Sequence, residues 1–326
     1  MMRTLTTPLT KLLNIKHPLV LAPMGGVSGA RLASAVSNAG GLGLIGASYG
    51  EANWMRTELA AMRDVAAPWG VGLVMFTVSE KMELLHLALD HGPDVVALSF
   101  GDTTPFIRPI RDSGAKILVQ VHDVDQAVAA LDAGADALIV QGAEAGGHSL
   151  RRSSFPLFPA VRDAVGEEPV LIATGGIADG RGVAAALALG MDGAMMGTRF
   201  YACDEALPSL QVKQRVVDAV ASETVRTRIF DDIRGISWPS RYSGRAIAND
   251  FTARWIGNEA EMLAAGDTVQ QDYMKAVETD DISVRAIWAG EIVDVVRDVR
   301  SANEIVESTV TEAVKILRRM PQIING

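Results

Sequence analysis

The sequence predicts an α/β protein, a closed (β/α)8 barrel of the TIM type carrying an additional, mainly helical cap. Five times in the first two hundred residues, a helix-like stretch runs through a glycine straight into a short apolar run. The copies are SNAGGLGLIG, DHGPDVVALS, DSGAKILVQV, DAGADALIVQG and ALGMDGAMMG, ending at Gly46, Ser99, Val121, Gly142 and Gly197. Glycine takes the left-handed conformation that closes a helix, and the apolar run after it reads as a buried parallel strand. The second observation is the number of such runs, eight in all, each separated from the next by a helix-length segment. Eight parallel strands at this spacing favour closure over an open sheet. The third is that the rhythm stops after Arg199, so whatever follows is built differently.

In order, the strands are PLVLA (18–22), LGLIGA (42–47), VGLVMF (71–76), VVALSF (95–100), KILVQV (116–121), ALIVQG (137–142), PVLIAT (169–174) and GAMMGT (193–198). Between them the apolar period changes to that of a helix, as in Val124, Ala127, Val128 and Leu131. Residues 210–228 are charged and read as helical, and 231–255 are rich in Gly, Pro and Trp without a barrel repeat. A non-repeating stretch of this size after the eighth strand reads as an inserted cap at 206–282, leaving 1–205 and 283–326 to the barrel. Residues 302–320 form an amphipathic helix suited to closing the barrel wall.

Composition excludes several classes. The 326-residue chain is 48% apolar, enough for a large core, and its net charge of −9 opposes nucleic acid or an anionic membrane as partner. A single cysteine, Cys203, rules out an internal disulfide and fits a reducing, cytoplasmic compartment. No apolar run approaches the roughly 18 residues of a membrane span, and MMRTLTTPLTKLLNIKH lacks the apolar centre of a secretory signal. No His and carboxylate cluster has metal spacing, so no metal is expected. Self-association into a homo-oligomer is compatible with this composition and has no signature in it.

Parallel barrels carry their chemistry at the carboxyl ends of the strands, so the residues after each strand direct the search. The sixth strand leaves through QGAEAGGHS (141–149), where Gly146 and Gly147 let the backbone approach a ligand just before His148. In an ordinary loop such a histidine is a surface residue. At a strand exit its imidazole, titrating near neutrality, suits taking or giving a proton. The seventh strand leaves through ATGGIADGRG (173–182) and the eighth through MGTRF (196–200). In many barrels the loops at these two positions bind a phosphate through backbone N–H groups, and Gly175, Gly176, Gly197 and Thr198 are the natural donors. At the first exit, Ala22, Pro23, Met24 and Gly25 offer an apolar shelf for a flat ring, although Met24 equally suits core filling. A phosphate grip facing an apolar shelf suits flavin mononucleotide (FMN). No strand-one G-x-G-x-x-G and no P-loop indicates a dinucleotide or nucleoside triphosphate.

These motifs resemble the nitronate monooxygenase family, formerly called 2-nitropropane dioxygenases, and the related flavin-dependent enoyl-acyl carrier protein reductases. HPLVLAPMGG, SNAGGLGLIGA, QGAEAGGH, TGGIADGRG and MGTRF stand where the family has its counterparts, and IWAG (287–290) resembles its C-terminal signature. The resemblance implies a barrel with an added helical domain and tightly bound, non-covalent FMN. It puts Ala22, Pro23, Met24 and Gly25 along the flavin ring, Gln120, Gln141, Gly146 and Gly147 near it, and His148 as catalytic base. The implied activity is oxidation of a small anionic alkyl nitronate, propionate 3-nitronate among the candidates, with O2 to a carbonyl compound and nitrite. Reduction of an enoyl thioester, or of a quinone, with NAD(P)H on the same scaffold is the alternative.

The chain also departs from the pattern. Gly72 and Val74 stand where the family often has Asn and a polar residue, and Gln120 stands where some members have a flavin-contacting Lys. His122, at the fifth strand exit, is a candidate for holding an anionic substrate, against a helix-capping role. His17 precedes the first strand, on the face away from the chemistry, and reads as structural.

Overall fold

The computed structural model describes residues 4–47 and 49–323. Six parallel strands come first: β1 (Leu19–Leu21), β2 (Gly43–Gly46), β3 (Trp69–Val74), β4 (Val95–Ser99), β5 (Lys116–Val121) and β6 (Ala137–Gln141). A short strand, β7 (Gly147–Ser149), then leaves the barrel before β8 (Val170–Thr174) and β9 (Gly193–Met196) complete it. The ring runs β1-β9-β8-β6-β5-β4-β3-β2, parallel throughout. It closes where Leu42 N donates to Leu19 O and Leu21 N donates to Leu42 O, both at 2.9 Å. The fold is a TIM barrel. The glycines that end the five helix-like repeats, Gly40, Gly92, Gly114, Gly134 and Gly190, all have positive φ, so each helix is closed as its sequence requires.

The strand period of two divides the core into two layers. Val20, Leu44, Val95, Ala97, Leu118, Ile139, Ile172 and Met195 point into the barrel, while Val96, Leu98, Val119, Leu138 and Val140 pack outward on the helices. The helix Pro8–Leu13, started by a Thr7 and Thr10 capping box with Pro8 in its first turn, plugs the bottom with Leu9 and Leu13. Gly193 makes room for that plug, because a Cβ there would lie 2.3 Å from Leu9 Cδ1's twin, Cδ2.

Two segments differ from the sequence expectation. The third strand spans 69–74 rather than 71–76, and Met75–Val78 turns into a short helix whose Phe76 N–H is taken by Phe100 O at 3.2 Å. The stretch 210–228 is α-helical only over Leu210–Asp218; after a 3-10 turn at Ala221–Glu223, β-branched residues form β10 (Thr224–Thr227). This strand pairs antiparallel with β11 (Ser243–Ile247), which pairs with β7, with Gly244 opposite His148. Arg226 locks the three strands together, donating to Ser149 O at 2.7 Å, Ser243 O at 2.8 Å and Ala143 O at 3.2 Å.

Beyond β9 the chain also forms Ile229–Ile233, Asp250–Trp255, Glu259–Ala264 and Asp267–Glu278, whose apolar faces make a separate cluster around Phe230, Phe251 and Tyr273. The helix Ala302–Arg319, begun by a Ser301 and Glu304 capping box, then returns to pack against helices Gly180–Ala188 and Ala30–Asn38. It occupies the wall position of the helix that should follow the eighth barrel strand. No helix among the described residues is long and apolar enough to cross a membrane.

Candidate active site

The same alternation that fills the barrel determines its upper surface. One step beyond the last inward apolar layer lie Ala22, Gly46, Gly72, Ser99, Gln120, Gln141, Thr174 and Gly197, and all eight line one cavity of about 700 Å³. Small side chains on β1, β2, β3 and β9 leave the space, and amides and hydroxyls on the others make part of its floor polar. The cavity also takes in Pro23, Met24, Gly25, Gly146, Gly147, His148, Gly175, Gly176 and Thr198. Of the residues anticipated from sequence, only His122 is missing from its wall.

The floor explains one departure from the family pattern. A Cβ at Gly72 would lie 2.2 Å from Pro23 Cβ, so the loop after β1 lies directly on β3 and leaves no room for a larger residue. That loop is held down by Ser28, whose Oγ accepts from Met24 N at 2.7 Å and whose carbonyl accepts from Gly46 N at 2.8 Å.

At the exit of β8, Gly175 and Gly176 have φ of +100° and +72°. Their N–H groups have no acceptor among the described residues, although both line the cavity. A Cβ at Gly175 would also lie 2.9 Å from Gly142 O. Across from them, Thr198 opens a short helix, and its Oγ1 accepts from Gly290 N at 3.0 Å, leaving the hydroxyl hydrogen to donate elsewhere. Free amide donors, a hydroxyl donor and a helix start around one opening suit a phosphate. With Ala22, Pro23 and Met24 as the opposite shelf, these residues fit the FMN anticipated from sequence.

His148 stands on β7, not in a loop. Its Nε2 lies 2.7 Å from Asp231 Oδ2, and both side chains are buried, 6% and 0% exposed. Asp231 Oδ1 accepts from Arg234 Nη2 at 3.0 Å. The Trp238 indole lies flat on the imidazole, ring centres 3.5 Å apart and planes 4° apart, and Trp288 approaches the same ring to 5.1 Å. Trp288 fits there because Gly244, opposite His148, has no side chain; a Cβ would lie 2.2 Å from the indole. Burial holds the His148 pKa below its ordinary 6.5, against the hydrogen bond and charge of Asp231, which raise it. The ring is therefore neutral at physiological pH. With Nε2–H given to Asp231, Nδ1 carries the lone pair, and it has no partner among the described residues. The arrangement can accept a proton from a molecule in the cavity.

His122 corrects an expectation. It is 1% exposed and lies behind the wall, with Nε2 2.7 Å from Gln141 Oε1 and Nδ1 3.2 Å from Gln126 Oε1. Gln141 and Gln120, themselves joined at 2.8 Å, present the polar surface instead. Burial pushes the His122 pKa down to about 4. It acts on Gln141 and does not reach the cavity.

Sequence reasoning missed Asp231, Arg234, Trp238 and Tyr49. Trp238 Nε1 donates to Tyr49 OH at 3.1 Å, and all but Asp231 line the cavity. Phe100, left-handed at φ +59°, packs on Trp238 at 4.8 Å, a strained backbone of the kind found at functional sites. Burial, helped by the hydrogen bond to Glu205, pushes the Cys203 thiol up to about 12. Among the described residues no group of three or more His, Cys, Asp or Glu could hold a metal ion.

Fold and site together define a TIM-barrel oxidoreductase. The family model for nitronate monooxygenase matches residues 6–84 and 74–312, and the chain belongs to that family. It is 34% identical to the nitronate monooxygenase npaC of Metarhizium robertsii, over 93% of this chain and 92% of that protein. It is 29% identical, over 98% and 99% of the two chains, to the (3aS,4S,5R,7aS)-5-hydroxy-7a-methyl-1-oxo-octahydro-1H-indene-4-carboxyl-CoA dehydrogenase of Mycobacterium tuberculosis. Among solved structures, FabK from Thermotoga maritima superimposes with a TM-score of 0.86 at 29% identity, covering 98% of this chain and all of that one.

Proposed function

We propose that the protein is an FMN-dependent nitronate monooxygenase, oxidising small alkyl nitronates with O2 to a carbonyl compound and nitrite. The observation that carries this reading is the buried His148 and Asp231 pair, whose unpartnered Nδ1 faces a cavity bordered by the Gly175 and Gly176 amides. FMN supplies the electron chemistry when bound. The chain supplies the rest. Gly175, Gly176, Gly197 and Thr198 hold the phosphate; Ala22, Pro23, Met24 and Gly25 support the ring; Gln120, Gln141, Gly146 and Gly147 border it. His148 takes the α-proton at Nδ1 when a neutral nitroalkane enters, and Asp231 fixes its tautomer and stabilises the imidazolium. Residues 206–282 act as the cap that excludes water and shapes the substrate end.

A second reading, reduction of an enoyl thioester or quinone with NAD(P)H, draws on the likeness to a relative named for a carboxyl-CoA substrate. Anaerobic rapid mixing separates the two. Bleaching of the flavin by ethylnitronate and not by NADH or NADPH supports the first; the reverse pattern supports the second. Protein that stays colourless after incubation with excess FMN contradicts both.

A further inference from the structure

Tyr49, in the loop after β2, lines the same cavity as His148 with one hydrogen-bonding capacity unused. Its phenol oxygen accepts from Trp238 Nε1 at 3.1 Å and from Arg234 Nη2 at 3.4 Å. Two donors occupy the lone-pair side of a phenol, which leaves its own O–H to donate in the remaining direction. No acceptor for that hydrogen is present among the described residues, and Tyr49 lines the cavity.

The two groups that fix Tyr49 are the same two that fix His148. Trp238 lies on the imidazole at 3.5 Å, and Arg234 is anchored on Asp231 Oδ1 at 3.0 Å and on Phe230 O at 2.8 Å. The circuit His148, Asp231, Arg234, Tyr49 and Trp238 therefore couples one proton acceptor and one hydrogen-bond donor in a single rigid wall. Burial also keeps the phenol pKa above its usual 10, so the hydrogen stays on Tyr49 as charge develops nearby.

We propose that Tyr49 is a second catalytic residue, the oxyanion donor for a substrate whose acidic C–H lies next to a nitro or thioester carbonyl group. This rests on His148 being the base. In the step, the C–H bond breaks and its proton goes to His148 Nδ1. The electron pair moves into the new C=N or C=C bond, and the negative charge arrives on the substrate oxygen. That oxygen accepts the Tyr49 O–H without taking its proton, with the Arg234 cation behind it. An oxygen acceptor beside an acidic carbon is the chemistry common to nitroalkanes and acyl thioesters, so the pair selects that class and leaves the remainder of the molecule to the cap.

The test is Tyr49→Phe, which deletes one hydroxyl, assayed as flavin-loaded enzyme beside His148→Ala. With nitroethane, where the oxyanion forms in the transition state, kcat should fall about 10²- to 10³-fold. With preformed ethylnitronate, where the charge is already present, the effect should move into KM. With crotonyl-CoA and NADPH the charge reaches a thioester oxygen by hydride addition at the β-carbon, and the α-carbon then takes a proton, so loss there and not with nitroethane assigns a thioester oxygen as the acceptor. A readout independent of turnover is binding of propionate, an isostere of ethylnitronate, followed by tryptophan fluorescence. Its Kd should rise about ten- to a hundred-fold in Tyr49→Phe, as for loss of one hydrogen bond to a charged group. Unchanged kinetics with every substrate and unchanged propionate affinity would overturn the role of Tyr49. Unchanged turnover in His148→Ala would instead remove the base on which it rests, and the two failures are separately visible.

Discussion

Asp231 meets His148 across 83 residues of sequence, carboxylate oxygen to Nε2 at 2.7 Å, and so decides which imidazole nitrogen faces the cavity. Asp231→Asn keeps the size of the side chain but can present an amide in place of an acceptor, and it removes the charge that stabilises an imidazolium. Turnover of neutral nitroalkane should fall by about 10²- to 10⁴-fold while bound flavin is retained, checked by steady-state rates and the visible spectrum.

The pH profile gives the sign of the same interaction. Burial lowers the His148 pKa and Asp231 raises it, with burial the larger effect. The rate with neutral nitroalkane should therefore rise with pH through a midpoint below 6.5, as the ring loses its proton. In Asp231→Asn the midpoint should move lower still, because only the effect that raised it is removed. A midpoint that moves up would contradict this balance.

His122 ties stability to pH. Its folded pKa is about 4 against an ordinary 6.5, so between those values the unfolded chain binds a proton that the folded protein does not. The contribution is complete above 6.5 and is lost as pH falls toward 4. The Tm of the parent should decline across that window, and that of His122→Asn should start lower and decline less, measured by thermal melts at fixed ionic strength.

The proposed phosphate grip depends on left-handed glycines. Gly176→Ala puts a Cβ on a residue at φ +72°, at a cost of roughly 1–2 kcal/mol. It also tilts the free amide. Flavin affinity should drop at least about tenfold, the equivalent of ~1.4 kcal/mol, by titration of apoprotein with FMN. Gly72→Asn, the residue the family often carries, should lower both Tm and flavin affinity here, because Pro23 occupies the space it needs.

How much was legible in the sequence follows from how local each signal is. The barrel and the glycines at the β8 exit depend on short-range periodicity and on single residues with left-handed backbone, so Gly175 and Gly176 could be read from neighbouring positions, whereas Gln120 and Gln141 stand out through the family resemblance. The support of His148 could not. Asp231, Arg234 and Trp238 lie in a stretch with no repeat, brought to the barrel by pairing of β11 with β7, and a three-residue strand such as Gly147–Ser149 has no pattern of its own. His122 misled for the opposite reason. It follows a strand exit, yet two residues past the inward-facing Gln120, just beyond the end of β5, the chain has already turned it into the wall, 1% exposed.

The most direct test of His148 as base is anaerobic rapid mixing of flavin-loaded His148→Ala with nitroethane and, separately, with preformed ethylnitronate. Flavin reduction by the neutral compound should fall by about 10²-fold or more, while the nitronate, whose acidic α-proton has already been removed, retains most of its rate. Equal rates for parent and variant with nitroethane would contradict the account.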